Sequence, residues 1–157
     1  MGRDQGSDMR RRVRRPTDKD QLLRTLVENG RPFATMAHAL VFAAAVGYAE
    51  GARVPFEKTD EPIPWEVFAN TGAEAFIDML AGVVSDETDI LGDDRENDRL
   101  QVFEEFANGG LGFLADRLAA DHRPPLQSLL DLVLQFEDRR VAKPDIDLEA
   151  IAVDLTS

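Results

Sequence analysis

The sequence predicts an all-α fold: a compact single-domain bundle of five to seven helices with a flexible basic N-terminal arm. Three observations predict it. Apolar residues recur at helical spacing in several separate segments, and no segment sustains alternation at period two. Gly, Pro and Asn punctuate the chain between those segments. The length of 157 residues suits one domain and buries enough surface to fold without a metal or disulfide staple.

Residues 1–15 are polar, Gly-containing and without apolar period, which reads as a mobile arm. Thr17 is the expected cap of the first helix, with Asp20 at the reciprocal position of a capping box. Leu22, Leu23, Leu26 and Val27 form its stripe, and Asn29-Gly30 stop it because both tolerate a left-handed backbone. Pro32 and Thr35 open a second helix over Met36–Glu50. That helix is apolar on every face, so it is expected to be central and buried nearly all round. Ala43, Ala44 and Gly47 are small and one turn apart, which lets a neighbouring backbone come close. Gly51 ends the helix.

Residues 51–64, with Pro55, Pro62 and Pro64, read as a partly extended loop. A short helical segment, Trp65 to Phe68, follows and breaks at Asn70-Thr71-Gly72. A helix over Ala73–Val84 has Phe76, Ile77, Leu80 and either Ala81 or Val84 facing inward. Ser85 to Asp94 reads as an acidic loop anchored by Ile90-Leu91. The next helix begins at Asp93 or Asp94, where carboxylates suit the positive helix end. It runs to Asn108-Gly109-Gly110, which mark either a break or a tight crossing, since each glycine costs a helix about 1 kcal/mol. Leu111 to Leu118 and Leu126 to Arg139 complete the helices. The tail, 143–157, carries a weak stripe of Leu148, Ile151, Ala152 and Leu155 and is expected to dock as a short helix or to float. The domain layout is therefore arm 1–15, helical domain 16–142, tail 143–157.

Charge restricts the function classes. The net charge is −12. The arm holds six Arg and two Asp, so residues 16–157 carry −16. A body of that sign repels nucleic acid and anionic lipid at long range. Any direct DNA contact falls to the arm, through Arg10, Arg11, Arg12, Arg14 and Arg15, by sequence-independent phosphate contacts. Zero Cys excludes disulfides and thiolate chemistry. The longest apolar run, Ala39–Tyr48, is half of what a bilayer span needs, and the expected location is the cytoplasm.

No Walker loop, HExxH, GxSxG or EF-hand spacing is present, so no catalytic, cofactor or metal residue is assigned. His38 reads as a core or edge histidine and His122 as a partner of a helix C-terminus. The acids between Asp86 and Asp98 lack the ligand spacing of a calcium loop and read as a solvated helix entry. Glu104 and Glu105 are adjacent on a helix and point about 100° apart, so they are not a facing acid–base pair. Gly109-Gly110 read either as a break or as exposed backbone that forms a docking face beside Glu104, Glu105 and Asn108. Arg53 reads as a loop tie or a partner contact, and Trp65 as the plug of the core or a surface anchor.

The segments RRPTDKDQLLRTLVENGRPF, LVFAAAVGYAEG, RVPF, EPIPWEVF, AFIDMLA, DIL and FEEFANGGL occur in this order within about residues 10–118. In that order and spacing the chain resembles the DNA phosphorothioation (Dnd) system-associated protein 4 family. The resemblance implies an accessory component encoded beside genes that replace a phosphate oxygen of DNA by sulfur, and beside the accompanying restriction genes. It implies fold or docking roles, with no catalytic motif, for Gly47, Tyr48, Arg53, Pro55, Phe56, Trp65, Phe103, Glu104, Glu105, Asn108 and Gly110. Phe106 stands where relatives are expected to carry Tyr. The expected docking residues are thus Arg53, Phe56, Trp65, Glu104, Glu105, Asn108 and Gly110, and the expected partner is a protein of a modification or restriction complex. The alternatives are a DNA-contacting regulator that uses the arm, and an acidic DNA mimic.

Overall fold

Residues 36–50 are mostly alanine, leucine and valine, and the computed structural model packs one side of this segment into the core. The structure describes residues 12–69 and 71–142. Two compact units divide between Ala120 and Asp121. Among the described residues, unit 1 holds helices α1 (Asp20–Val27), α2 (Met36–Glu50), α3 (Glu66–Ala69), α4 (Ala73–Val84) and α5 (Glu96–Ala120), and unit 2 holds α6 (Pro125–Ala142). The only strands among these residues are β1 (Arg12–Val13) and β2 (Ile63–Pro64), paired antiparallel with Val13 opposite Ile63. No described helix is long and apolar enough to cross a membrane.

Thr35 caps α2: its hydroxyl accepts from the His38 N–H at 3.3 Å. Gly51 closes it at φ 66°. The expectation that α2 is buried nearly all round needs correction. Ala37, Leu40, Ala43, Ala44 and Gly47 are buried, but His38, Ala45, Tyr48 and Ala49 form an exposed side. His38 is accordingly a surface residue, its Nδ1 2.9 Å from the Thr35 hydroxyl.

The α1 cap also differs. Thr17–Lys19 form a 3-10 turn with no side-chain cap, and α1 begins only at Asp20. Asp20 does not serve a capping box; it binds Arg15 and, at 2.7 Å, Arg24. Those two guanidiniums, Arg24 first, hold its carboxyl below the usual range. Asn29 and Gly30 adopt the left-handed backbone (φ 58° and 72°) and turn the chain as expected.

The Gly109-Gly110 pair is a crossing, not a break: α5 runs through it without interruption. Small residues explain why. A Cβ on Gly110 would strike the Ala43 carbonyl oxygen, one on Gly47 the Phe106 carbonyl oxygen, and one on Gly109 the Ala52 carbonyl oxygen. Backbone therefore lies on backbone where α2 crosses α5. Dispersion and Cα–H···O attraction at this short range offset the poor helix propensity of glycine.

Phe68 and Phe103 are the fully buried aromatic centre of unit 1, meeting edge to face at 6.1 Å. Phe76 adds a second edge contact to Phe103 at 6.3 Å. Trp65 is not the core plug; it is half-buried and stacks on Phe68 at 5.8 Å. Phe68 fills that role because α3 turns it inward.

In unit 2 the start of α6 is tied by Asp121, which accepts from the Ser128 hydroxyl at 2.6 Å and from the Arg123 backbone at 3.0 Å. The tail 143–157 lies outside the described residues.

Candidate functional site

The segment Phe103–Leu111 lies in the middle of α5, and nearly every side chain in it faces protein. Glu104, Glu105 and Asn108 are 4–5% exposed, and Gly109 and Gly110 are buried. The face expected to present exposed backbone to a partner is thus turned inward. The physical reason is the glycine crossing, which seats α2 directly on this stretch of α5.

Two adjacent buried carboxylates need cations, and each receives one from a different part of the chain. Glu104 takes the Arg14 backbone N–H at 2.5 Å, its Nε at 3.0 Å and its Nη2 at 3.0 Å. Glu105 takes Arg53 Nε at 2.8 Å and Gln101 Nε2 at 3.3 Å. Their 100° divergence along the helix is what allows them to hold two segments at once. Burial pushes the Glu104 carboxyl above its ordinary range; the Arg14 backbone and side chain pull the other way, and neighbouring Glu105 adds a small upward push.

The loop after α2 is fixed backbone-first. Val54 N–H donates to the Glu105 carbonyl at 3.0 Å, and Asn108 Nδ2 donates to the Val54 carbonyl at 3.0 Å. The Arg53 guanidinium lies 5.8 Å from the Phe106 ring centroid, a cation–π contact. Arg53 is therefore a loop tie. Arg14 lies 5.0 Å over the Phe56 ring, so that ring is half covered by the N-terminal segment. Val54 and Pro55 remain exposed at the loop tip.

Arg12–Arg15, grouped with the arm by composition, are folded in. Val13 is fully buried and Arg15 is 8% exposed. Arg15 binds Asp20, reaches Asp60 at 3.7 Å and donates to the Glu61 carbonyl at 2.9 Å. Of the five arginines expected to meet DNA, Arg14 and Arg15 are thus committed to carboxylates of this chain. Arg12 is exposed, and Arg10 and Arg11 lie outside the described residues.

Two open grooves flank these ties. One, of about 690 Å³, is lined by Thr17, Lys19, Val54, Phe56, Lys58 and Asn108. The other, of about 520 Å³, is lined by Arg12, Arg14, Asn97, Gln101 and Glu104. Among the described residues no group of three His, Asp or Glu side chains is placed to hold a metal ion. Three of the acids around the entry to α5 are gathered on Arg95, which binds Glu87 at 2.6 Å, Asp98 at 2.5 Å and Asp89 at 3.1 Å.

Sequence reasoning missed the strut between Arg14 and Glu104. The available signal was Val13, a lone apolar residue among arginines just before the RRPTDKDQLL segment. It also missed the exposed apolar side of α4, where Met79 and Val83 lie four residues apart, outside the inward stripe.

The chain was compared with known families, curated proteins and solved structures. No curated protein and no solved structure matches it significantly. The family model described as DNA sulphur modification system-associated protein 4 matches residues 12–151. That match begins at the residue where β1 begins, and it reaches past Asp121, beyond the last of the segments that carry the motif resemblance. With most of its length matched, from β1 through α6, the chain belongs to the DNA sulphur modification system-associated protein 4 family.

Proposed function

We propose that this chain is a non-catalytic accessory subunit of a DNA phosphorothioation-dependent modification and restriction system, and that it acts by docking onto a larger protein component. The observation that carries the reading is how the family segment is used. Glu104 and Glu105, the acid pair nearest to a reactive constellation, are each occupied by arginine and hold β1 and the 53–56 loop against α5. A general base has to reach a substrate proton, and both carboxylates are buried in the fold and already hold an arginine. The segment works as a clamp that shapes an outer surface. Family membership supplies the context, association with a DNA sulphur modification system.

Direct DNA binding through the arm is weakened by the same geometry, since Arg14 and Arg15 are spent on Glu104, Asp20 and Asp60.

The test is co-expression of the tagged full chain with the modification and restriction proteins of its own system, followed by affinity purification at 0.1 and 0.5 M salt. A stoichiometric complex with one of them is expected. Recovery of the chain alone under both conditions would overturn the reading.

A further inference from the structure

The outer side of α4 carries an apolar strip that unit 1 leaves uncovered. Met79 is 58% exposed and Val83 60%. Ala75 and Gly82, also exposed, fall on the same side at helical spacing. The chain after α4 widens the strip: Leu91, 55% exposed, has its Cδ atoms 3.8 and 3.9 Å from where a Cβ on Gly82 would lie. Scattered surface apolar residues are ordinary, but a contiguous strip along one helix is a property of interaction surfaces.

The charge around the strip says what covers it. Asp86 follows the last residue of α4 by two positions, and Asp93 and Asp94 follow Leu91 by two and three; all three are exposed. The two arginines nearby are consumed internally. Arg95 is shared among Glu87, Asp89 and Asp98, and Arg99 binds Asp78 at 2.9 Å and the Ile90 and Gly92 carbonyls at 2.9 and 2.7 Å. The last turn of α4 has no basic residue, so the negative end of its dipole adds to the acids. A second copy would bring the same acids to the same face, and DNA or an anionic lipid would be repelled. A cationic partner with apolar side chains is complementary on both counts. Because the strip is a helix ridge, a second helix can lie along it by ridge-into-groove packing.

We propose that the Met79–Val83–Leu91 face is the docking surface for a basic amphipathic helix of a partner protein, whose apolar stripe covers these three side chains and whose Lys or Arg flanks meet Asp86, Asp93 and Asp94. The proposal deepens the accessory reading and rests on it.

The test has two arms and uses the full chain. In the first, a fluorescein-labelled 18-residue Leu/Lys peptide, with Leu at i, i+3, i+4 and i+7 spacing, is titrated by anisotropy in 0.15 M salt. Met79→Ser/Val83→Ser is expected to weaken binding at least tenfold, Asp86→Asn/Asp93→Asn/Asp94→Asn at least threefold, and Leu130→Ser on α6 less than twofold. Absence of binding, or equal binding to wild type and Met79→Ser/Val83→Ser, overturns the proposal. In the second arm, co-purification with the system's own proteins is compared for wild type and Met79→Ser/Val83→Ser. Loss of the complex in the variant supports the surface. A complex retained in full overturns the surface and leaves the accessory reading intact, whereas no complex with wild type overturns the accessory reading and, with it, this proposal. Both substitutions are at exposed positions, and an unchanged melting curve verifies that the variant is folded.

Discussion

At Gly110 the carbonyl oxygen of Ala43 occupies the space where a side chain would begin. Gly110→Ala therefore has to push α2 and α5 apart, and overpacking of this kind costs about 1–3 kcal/mol beyond the propensity gain of alanine. Gly112 is two residues further along the same helix, and a Cβ there meets only the Lys19 Cε at 4.0 Å. Gly112→Ala should stabilise by about 0.5–1 kcal/mol. Urea unfolding of the two variants checks both signs; equal shifts in midpoint would refute the crossing. Glu104 gives a pH signature. Its folded carboxyl titrates above the ordinary value of 4.5 because burial disfavours the charge. The folded state therefore binds this proton more tightly than the unfolded state, so the Glu104 contribution is most favourable below pH 4.5 and is lost as pH rises through the raised value. The stability of wild type minus that of Glu104→Gln should fall across this window and then level. A difference that is flat, or rises with pH, would contradict the assignment.

At the scale of elements, the 12–15 segment that begins with β1 acts as a strap whose fastening is the Arg14–Glu104 pair. Removing one partner of a buried pair leaves the other charge without compensation, typically at about 3 kcal/mol. Arg14 is 40% exposed, so the expected loss for Arg14→Ala is smaller, about 2 kcal/mol. Arg12→Ala, at an exposed strand position, should change stability by less than about 0.5 kcal/mol. Thermal melts of the two variants distinguish a strap from a solvated arm. The helices were the legible part of the sequence. The bounds of α2 and α4 follow from Thr35, Gly51, Gly72 and apolar periodicity, because those signals are local. The continuity of α5 was not legible. Two glycines weaken any helix judged alone, and only the facing small residues of α2 make the uninterrupted helix favourable. Trp65 and Phe68 show the same limit: Trp65 lies one residue before α3, and packing against the distant Phe103 decides which ring is buried. The pairings of Glu104 with Arg14 and of Glu105 with Arg53 span 90 and 52 residues of chain, and no local pattern announces them.

For the whole molecule, a net charge of −12 makes self-repulsion a general cost of folding. Raising salt from 0.05 to 1 M should screen it and lift the melting temperature by a few degrees, while the buried arginine–carboxylate pairs are screened less. A melting temperature that stays level or falls would show that the surface acids are already neutralised by local pairs like those around Arg95. The same acidity suits the cationic partner proposed above better than it suits DNA, and the family ties the chain to a DNA sulphur modification system. The central claim is that the Phe103–Leu111 segment is a scaffold and not a reactive centre. Its most direct test is to replace the chain in cells carrying its system by Glu104→Gln or Glu105→Gln, and to measure DNA sulfur content and restriction of unmodified DNA against the folded fraction of each variant. The scaffold account predicts that function follows the folded fraction. A variant that is fully folded, still forms its complex and yet has lost function would contradict it.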